Sequence, residues 1–220
     1  MTSAGAFARH AGQRRYDFSI AWNRFTGRLD VGGTRMDLTE DLAQIAFGWS
    51  ISPKTSLRVA AGGILSGTLM GVGPSVPRGT HTVGPGWVGS VQVDRVLLTT
   101  EGWRPFIRTQ GTIGVSSTGT TDKATDISST FVATDLRVGL TVGWMLGDRV
   151  VGYGATRLFA APFYWFVAGE PESLSGQDIN HYQVAIGGSV RVGDRWNLFA
   201  DWSFFGERSL VVGLAMAWWG

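Results

Sequence analysis

The chain has no cysteine, only two lysines (Lys54 and Lys123), and no apolar run long enough to cross a bilayer as a helix. Each absence excludes something. Without thiols there is no disulfide framework and no thiolate chemistry. A water-facing surface normally carries many lysines, so their scarcity argues against a large solvated exterior. A transmembrane helix needs about 18 or more consecutive apolar residues, and none are present. The formal net charge of +2 is too small to suggest nucleic acid. Three histidines without HxxxH or HExxH spacing, and glycine-rich stretches that open no helix, give no reason to expect a metal or any other cofactor. Met1 to Gly12 includes Arg9 and His10 but no apolar leader core. The expectation is a mature sequence whose leader has been removed, with Met1 as an added start.

Glycine and tryptophan are abundant instead. There are 32 glycines in 220 residues, about twice the usual 7% share. Glycines inside strands mark bulges, bends and close backbone approach, which a curved, closed sheet needs repeatedly. The 10 tryptophans suit a membrane–water interface, where the ring has one apolar and one wet side.

A period of two runs through most of the chain and predicts strands. In Arg15 to Phe25, Tyr16, Phe18, Ile20 and Trp22 alternate with Asp17, Ser19, Ala21 and Asn23. Val132 to Leu146 sets Leu136, Val138, Leu140, Val142 and Trp144 against Asp135, Arg137, Gly139, Thr141 and Gly143. Further strands are expected over Ala43 to Ser52, from Leu57 through Leu65 with Arg58 and Ser66 opposite, and over Trp87 to Leu98, Trp103 to Ser116, Val151 to Phe159, Ile179 to Val192 and Trp196 to Phe205. Short turns at Ser52 to Thr55, Thr99 to Gly102, Gly147 to Arg149, Gly193 to Arg195 and Gly206-Glu207 alternate with long connections at Thr26 to Leu42, Gly71 to Gly86, Ser117 to Ser129 and Ala160 to Asp178. The last of these is unusually aromatic (Phe163, Tyr164, Trp165, Phe166) and is expected to be part strand and part membrane interface. Thr39 to Phe47 could follow a helical period, but loop followed by strand suits it better. Met1 to Gln13 is expected to be a flexible tail, with residues 14–220 forming one barrel.

The final strand, Arg208 to Gly220, places Leu210, Val212, Leu214, Met216 and Trp218 on one face and small residues on the other. Gly213, Met216 and Trp218 resemble the terminal-strand signature of bacterial outer-membrane β-barrels. That resemblance implies an all-β, antiparallel up-and-down transmembrane barrel of Gram-negative bacteria. About ten strands with alternating short and long connections suit it, with the termini and short turns on the periplasmic side. The implied partners are outer-membrane lipid, lipopolysaccharide and the barrel-assembly machinery.

A soluble lipocalin-type barrel would turn its bulky apolar face inward, whereas a membrane barrel inverts this. Two tryptophan bands favour inversion: Trp49, Trp103, Trp144, Trp196 and Trp218 near one rim, and Trp22, Trp87, Trp165 and Trp202 nearer the other. The inward set then comprises Asp17, Arg58, Gln92, Asp94, Arg108, Gln110, Asp135, Arg137, Gln183, Arg191 and Asp201. Charges in so narrow a lumen need partners. The set therefore reads as a salt-bridged plug, with a narrow porin-like conduit for small solutes as the sharper option. The expected role is structural or in surface interaction. The alternative is a lipid- or peptide-hydrolysing enzyme, because small outer-membrane barrels include lipid A enzymes with Ser, His and an acid at the outer rim and omptin-type proteases with Asp and His pairs. His181, Asp178 and Ser175, with Ser173 near in sequence and His81 in another loop, are the candidates here.

Overall fold

The computed structural model describes residues 15–72, 80–99, 104–168 and 173–219. Among the described residues, twelve antiparallel strands form one sheet: β1 (Arg15–Val31), β2 (Thr34–Ser52), β3 (Thr55–Val72), β4 (Thr80–Leu98), β5 (Phe106–Asp122), β6 (Ser128–Leu146), β7 (Val150–Ala160), β8 (Pro162–Phe166), β9 (Leu174–Asp178), β10 (Tyr182–Val192), β11 (Trp196–Gly206) and β12 (Arg208–Trp219). Strand β12 pairs with β1 from Arg15↔Trp219 to Thr26↔Arg208, which closes the sheet into a barrel. Closure is what lipid requires, since an unpaired strand edge has no water to bond there.

The ring changes size along its axis. At the end that carries β1's start and β12's finish (the near end), ten strands surround the lumen: β1 to β7 and β10 to β12. Towards the far end the β11–β12 hairpin stops at Gly206-Glu207. Above it β9 takes over β12's edge on β1, pairing Leu29↔Asp178 to Val31↔Gly176. Strand β8 pairs with β6 and with β9. The far ring thus holds eight strands, β1 to β6 with β8 and β9. Eight strands leave an interior just wide enough for side chains to fill.

Polarity inverts at the same level. Through the near part, bulky apolar side chains face outward, including Ile20, Ile45, Val59, Ile113, Val138 (61% exposed), Ile186 and Leu198. The sheet is therefore a transmembrane barrel with lipid-facing hydrocarbon. Beyond Trp22 and Ala43 the outward positions become Arg24, Thr26 and Arg28 on β1, and Asp41, Thr39, Asp37 and Arg35 on β2. There the apolar residues turn inward. Leu29, Val31, Met36, Leu38, Leu69, Val83, Phe131, Phe163 and Trp165 pack together as a buried cap.

This inversion corrects the expected long loops. Thr26 to Leu42 is ladder except for the turn at Gly32-Gly33, where both residues have positive φ (57° and 84°). Two such residues make the hairpin turn that matches strand twist. Ser117 to Ser129 is strand up to Asp122 and again from Ser128. Strand β4 begins at Thr80 within the expected Gly71 to Gly86 loop, and residues 73–79 lie outside the description, as does the expected N-terminal tail. Ala160 to Asp178 contains the β8–β9 hairpin. In Thr26 to Leu42 and in the strand parts of Ser117 to Ser129 the period of two persists with polar side chains outward, so their charges and hydroxyls looked like loop, whereas β8 is strand with Tyr164 and Phe166 outward. Thr39 to Phe47 is strand within β2. A bulge opposite Asp41/Leu42 shifts the register of β3, leaving both Leu65 and Ser66 exposed rather than on opposite faces.

Glycines serve bulky neighbours. Directly opposite Tyr153, Phe199, Phe106 and Phe163 in register lie Gly187, Gly213, Gly143 and Gly176. In each pair the aromatic ring occupies the space a β-carbon on the glycine would take. These four rings lie across glycines, covering sheet positions that have no side chain of their own.

An arginine at Val138, amid the apolar band, should cost about 2–4 kcal/mol. Arginine at Thr39, on the outward face of the far segment, should cost almost nothing. Urea titration of the folded barrel in lipid vesicles measures both.

Candidate functional site

The inward face of the near part carries two polar layers. Near the terminal end, Arg58 and Asp17 form a buried ion pair. Asp94 accepts a hydrogen bond from Gln92 Nε2 at 2.7 Å and lies 3.6 Å from Arg108. Gln110, on the next inward position of β5, is buried beside them. Arg191 is half-buried near the same rim. All of these lie on the lumen side because strand alternation sends every second residue inward.

The second layer is a continuous chain of bonds. Tyr153 donates to Asp201 Oδ2 at 3.0 Å, and Arg157 donates to the same oxygen at 2.9 Å. Arg157 also donates to Gln183 Oε1 at 2.7 Å. Gln183 Nε2 donates to Glu207 Oε1 at 3.1 Å. Arg137 grips Glu207 with two bonds of 2.6 and 2.9 Å and bonds Asp135 at 2.5 Å. The forked geometry is the one a guanidinium and a carboxylate favour. Arg137 also lies over the Phe159 ring, 4.9 Å from its centroid.

Arg157, Glu207 and Tyr153 are central to this chain, yet sequence reading missed all three. Strand β7 alternates Val151, Tyr153, Ala155, Arg157 and Phe159 inward, so its inward face is mostly apolar and reads as the wrong side. Glu207 sits in a hairpin turn, where an acid ordinarily faces water. Here Gly206 has φ +75°, and a β-carbon on it would strike the Tyr182 carbonyl oxygen. The close approach tucks the hairpin tip into the lumen. Ser203 Oγ then donates to the Glu207 carbonyl at 2.5 Å and holds it there.

The aromatic positions occupy the outer surface. Tyr16, Phe47, Trp49 and Trp218 form a cluster near the terminal end, with ring centroids 5.9–6.1 Å apart. Trp144 and Trp196 are exposed on short-turn strand ends; Trp87 and Trp202 are exposed further along, and Trp22 is half-buried. Trp103 lies outside the described residues. Trp165 does not join an outer band. It is fully buried in the far cap, donates to Thr120 Oγ1 at 2.9 Å, and meets the His81 ring edge-on at 4.9 Å. Its odd position on β8 sends it inward with Phe163, while Tyr164 and Phe166 face out. Burial lowers the His81 pKa, and Asp122 opposes the shift.

The hydrolytic candidates do not assemble. Asp178 is buried on the lumen side, whereas Ser175, Ser173 and His181 are exposed. Ser175 and Asp178 are three apart on β9, so the period of two puts them on opposite faces. The Asp178 carboxylate accepts the Asn180 backbone N–H at 2.7 Å. The His181 carbonyl accepts from Phe159 N–H at 2.9 Å.

Between the second polar layer and the far cap lies a cavity of about 210 Å³, lined by Phe25, Leu38, Phe131 and Phe163 on the cap side and by Glu40, Gln110, Asp178 and Glu207 among its polar walls. Glu40 and Asp178 belong to the far segment, beyond the lipid-facing band. Burial pushes both carboxyls up to about 7. For Asp178 the neighbouring Glu207 adds to the rise, and the Asn180 N–H opposes it.

The closed sheet has counterparts among solved structures. The translocator domain of autotransporter NalP from Neisseria meningitidis superposes with a TM-score of 0.51 at 12% identity, over 96% of this chain and 90% of that one. The outer membrane protease OmpT from Escherichia coli gives 0.53 at 11% identity, over 94% and 97%. The fold is that of a bacterial outer-membrane β-barrel. At such identity the likeness carries the fold alone. Comparison with protein-family models and with curated proteins finds no match.

Replacing Arg137 by methionine strips the barrel's Asp135 and Glu207 of their cation and should cost about 3–5 kcal/mol. Adding Glu207→Gln should recover part of it, measured by urea unfolding. Glu40 and Asp178 hold their protons more tightly in the folded barrel than in the unfolded chain. Their contribution to stability is full below the unfolded pKa values near 4 and is lost as pH rises through about 7. Unfolding temperature should therefore fall between about pH 4 and 7, and Glu40→Gln should flatten the slope.

Proposed function

We propose that this protein is a closed, non-conducting barrel of the bacterial outer membrane, with a structural or surface-interaction role and with both termini in the periplasm. One observation carries this: the lumen is stoppered twice. The ion-paired layers fill the ten-stranded part, and the apolar cap fills the eight-stranded part. A conduit needs a continuous hydrated path with sites weak enough to release what they bind. Paired arginines and carboxylates leave little mobile charge, and a packed cap excludes water. The two seals differ in chemistry, so a single change of pH or salt does not open both.

Orientation follows from the connections. Short hairpins such as Gly147 to Arg149 and Gly193 to Arg195 lie at the terminal end, and the tall polar hairpins rise at the other. Outer-membrane barrels keep short turns on the periplasmic side. The far crown, with outward Arg24, Arg28, Asp37 and Asp41, then stands among lipopolysaccharide head groups, and the assembly machinery would meet the near end. In planar bilayers the purified barrel should show no steady single-channel conductance at neutral pH. Resolved, reproducible openings from the unmodified chain would defeat the closed-barrel role.

A further inference from the structure

The cavity between the polar chain and the cap is larger than the roughly 150 Å³ apolar void that admits benzene. Its walls are not balanced. Arg137 and Arg157, the cations that reach it, are engaged by Asp135, Glu207, Asp201 and Gln183. Glu40 is only 9% exposed, and among the described residues it has no ion pair or hydrogen bond. Asp178 is 1% exposed and receives a single backbone N–H. Three further lining oxygens, Asn23 Oδ1, Gln110 Oε1 and Asp135 Oδ1, are buried without a donor. The lining amides and hydroxyls, Gln44 and Thr112 among them, bring neutral donors but no charge.

The imbalance is one of charge: the carboxyls of Glu40, Asp135, Asp178, Asp201 and Glu207 line the cavity against the guanidiniums of Arg137 and Arg157 alone among the described residues. The Glu40 and Asp178 carboxyls, neither in an ion pair among the described residues, flank successive inward positions of β1. Glu40 lies opposite Phe25 in register, and Asp178 Oδ2 sits 3.0 Å from where a β-carbon on Gly27 would be. On the cap side, Leu38, Phe131 and Phe163 offer hydrocarbon and ring faces. A buried acceptor without a donor is costly, and an anion would add to the carboxylate excess. A neutral hydrocarbon would satisfy the roof and leave the walls unpaired. A primary ammonium supplies three donors and one compact positive charge, with no acceptor to satisfy.

We propose that this cavity is a binding site for a small amphiphilic amine, with its ammonium head against the Glu40 and Asp178 carboxyls and an apolar body of about one ring beneath Phe131 and Phe163. The site goes beyond the closed-barrel role and does not require conduction. A barrel that passes no current can still hold such a ligand.

The test titrates the purified full-length barrel, in zwitterionic detergent, with 2-phenylethylamine by calorimetry. Phenylacetate and 2-phenylethanol serve as comparisons of the same shape, and empty micelles are subtracted. The expected result is saturable binding of the amine, with acid and alcohol weaker by about tenfold or more, one decade of affinity. Glu40→Gln and Asp178→Asn should each weaken the amine by at least about fivefold in variants that keep the wild-type mobility of unheated protein on gels. Three results overturn the site: no saturable amine binding by the wild type at millimolar concentration, equal binding of phenylacetate, or amine affinity unchanged in both folded variants. If a variant does not fold, the three-ligand comparison on the wild type still decides.

Discussion

Backbone hydrogen bonding in a medium without water governs this molecule. Each N–H and C=O that crosses hydrocarbon needs a partner from the chain itself. Strands can meet that demand only by closing, so the β12–β1 ladder from Arg15↔Trp219 to Thr26↔Arg208 is the condition on which everything else rests. Closure fixes a tube. Alternation within each strand then gives the tube an inside and an outside, and every later feature is a choice of which side chains go where.

The same alternation answers two solvents. In lipid, bulky hydrocarbon faces out and ions face in. Beyond lipid, water takes the outside, and Met36, Leu38, Phe163 and Trp165 go inside. The barrel is thus a membrane barrel below and a soluble-type barrel above, built on continuous strands. The reduction from ten strands to eight falls at this boundary and suits it. A narrower ring can be filled by an apolar core, whereas the wider ring needs long arginines bridged to carboxylates. Glu207, brought inward by the Gly206 turn, sits at the junction and ties the β11–β12 tip to Arg137 on the opposite side of the lumen.

Some of this could be read residue by residue. The alternation of Val132 to Leu146 places Asp135 and Arg137 on one face and Val138 and Leu140 on the other. Asp17, Arg58, Gln92, Asp94, Gln183 and Asp201 are assigned to a shared side in the same way. Polarity inversion hid the far strands, because Thr26 to Leu42 keeps its period but exchanges the chemistry of its faces. On β7 the inward Val151 and Tyr153 look lipid-facing, which concealed Arg157 on the same face. Ser175, Asp178 and His181 are close in sequence, yet neighbours three apart on a strand point in opposite directions.

The sequence by itself determined the strand period, the near-even spacing of turns, the glycine-rich curvature and the want of any soluble exterior in the lower half, since these depend on local geometry and composition. Tertiary structure alone decided the ring size at each height, the ion-pair partners and the burial of Glu40 and Asp178 beside a cavity. Those depend on which distant strands meet across the lumen, and that is set by register and closure rather than by any one segment.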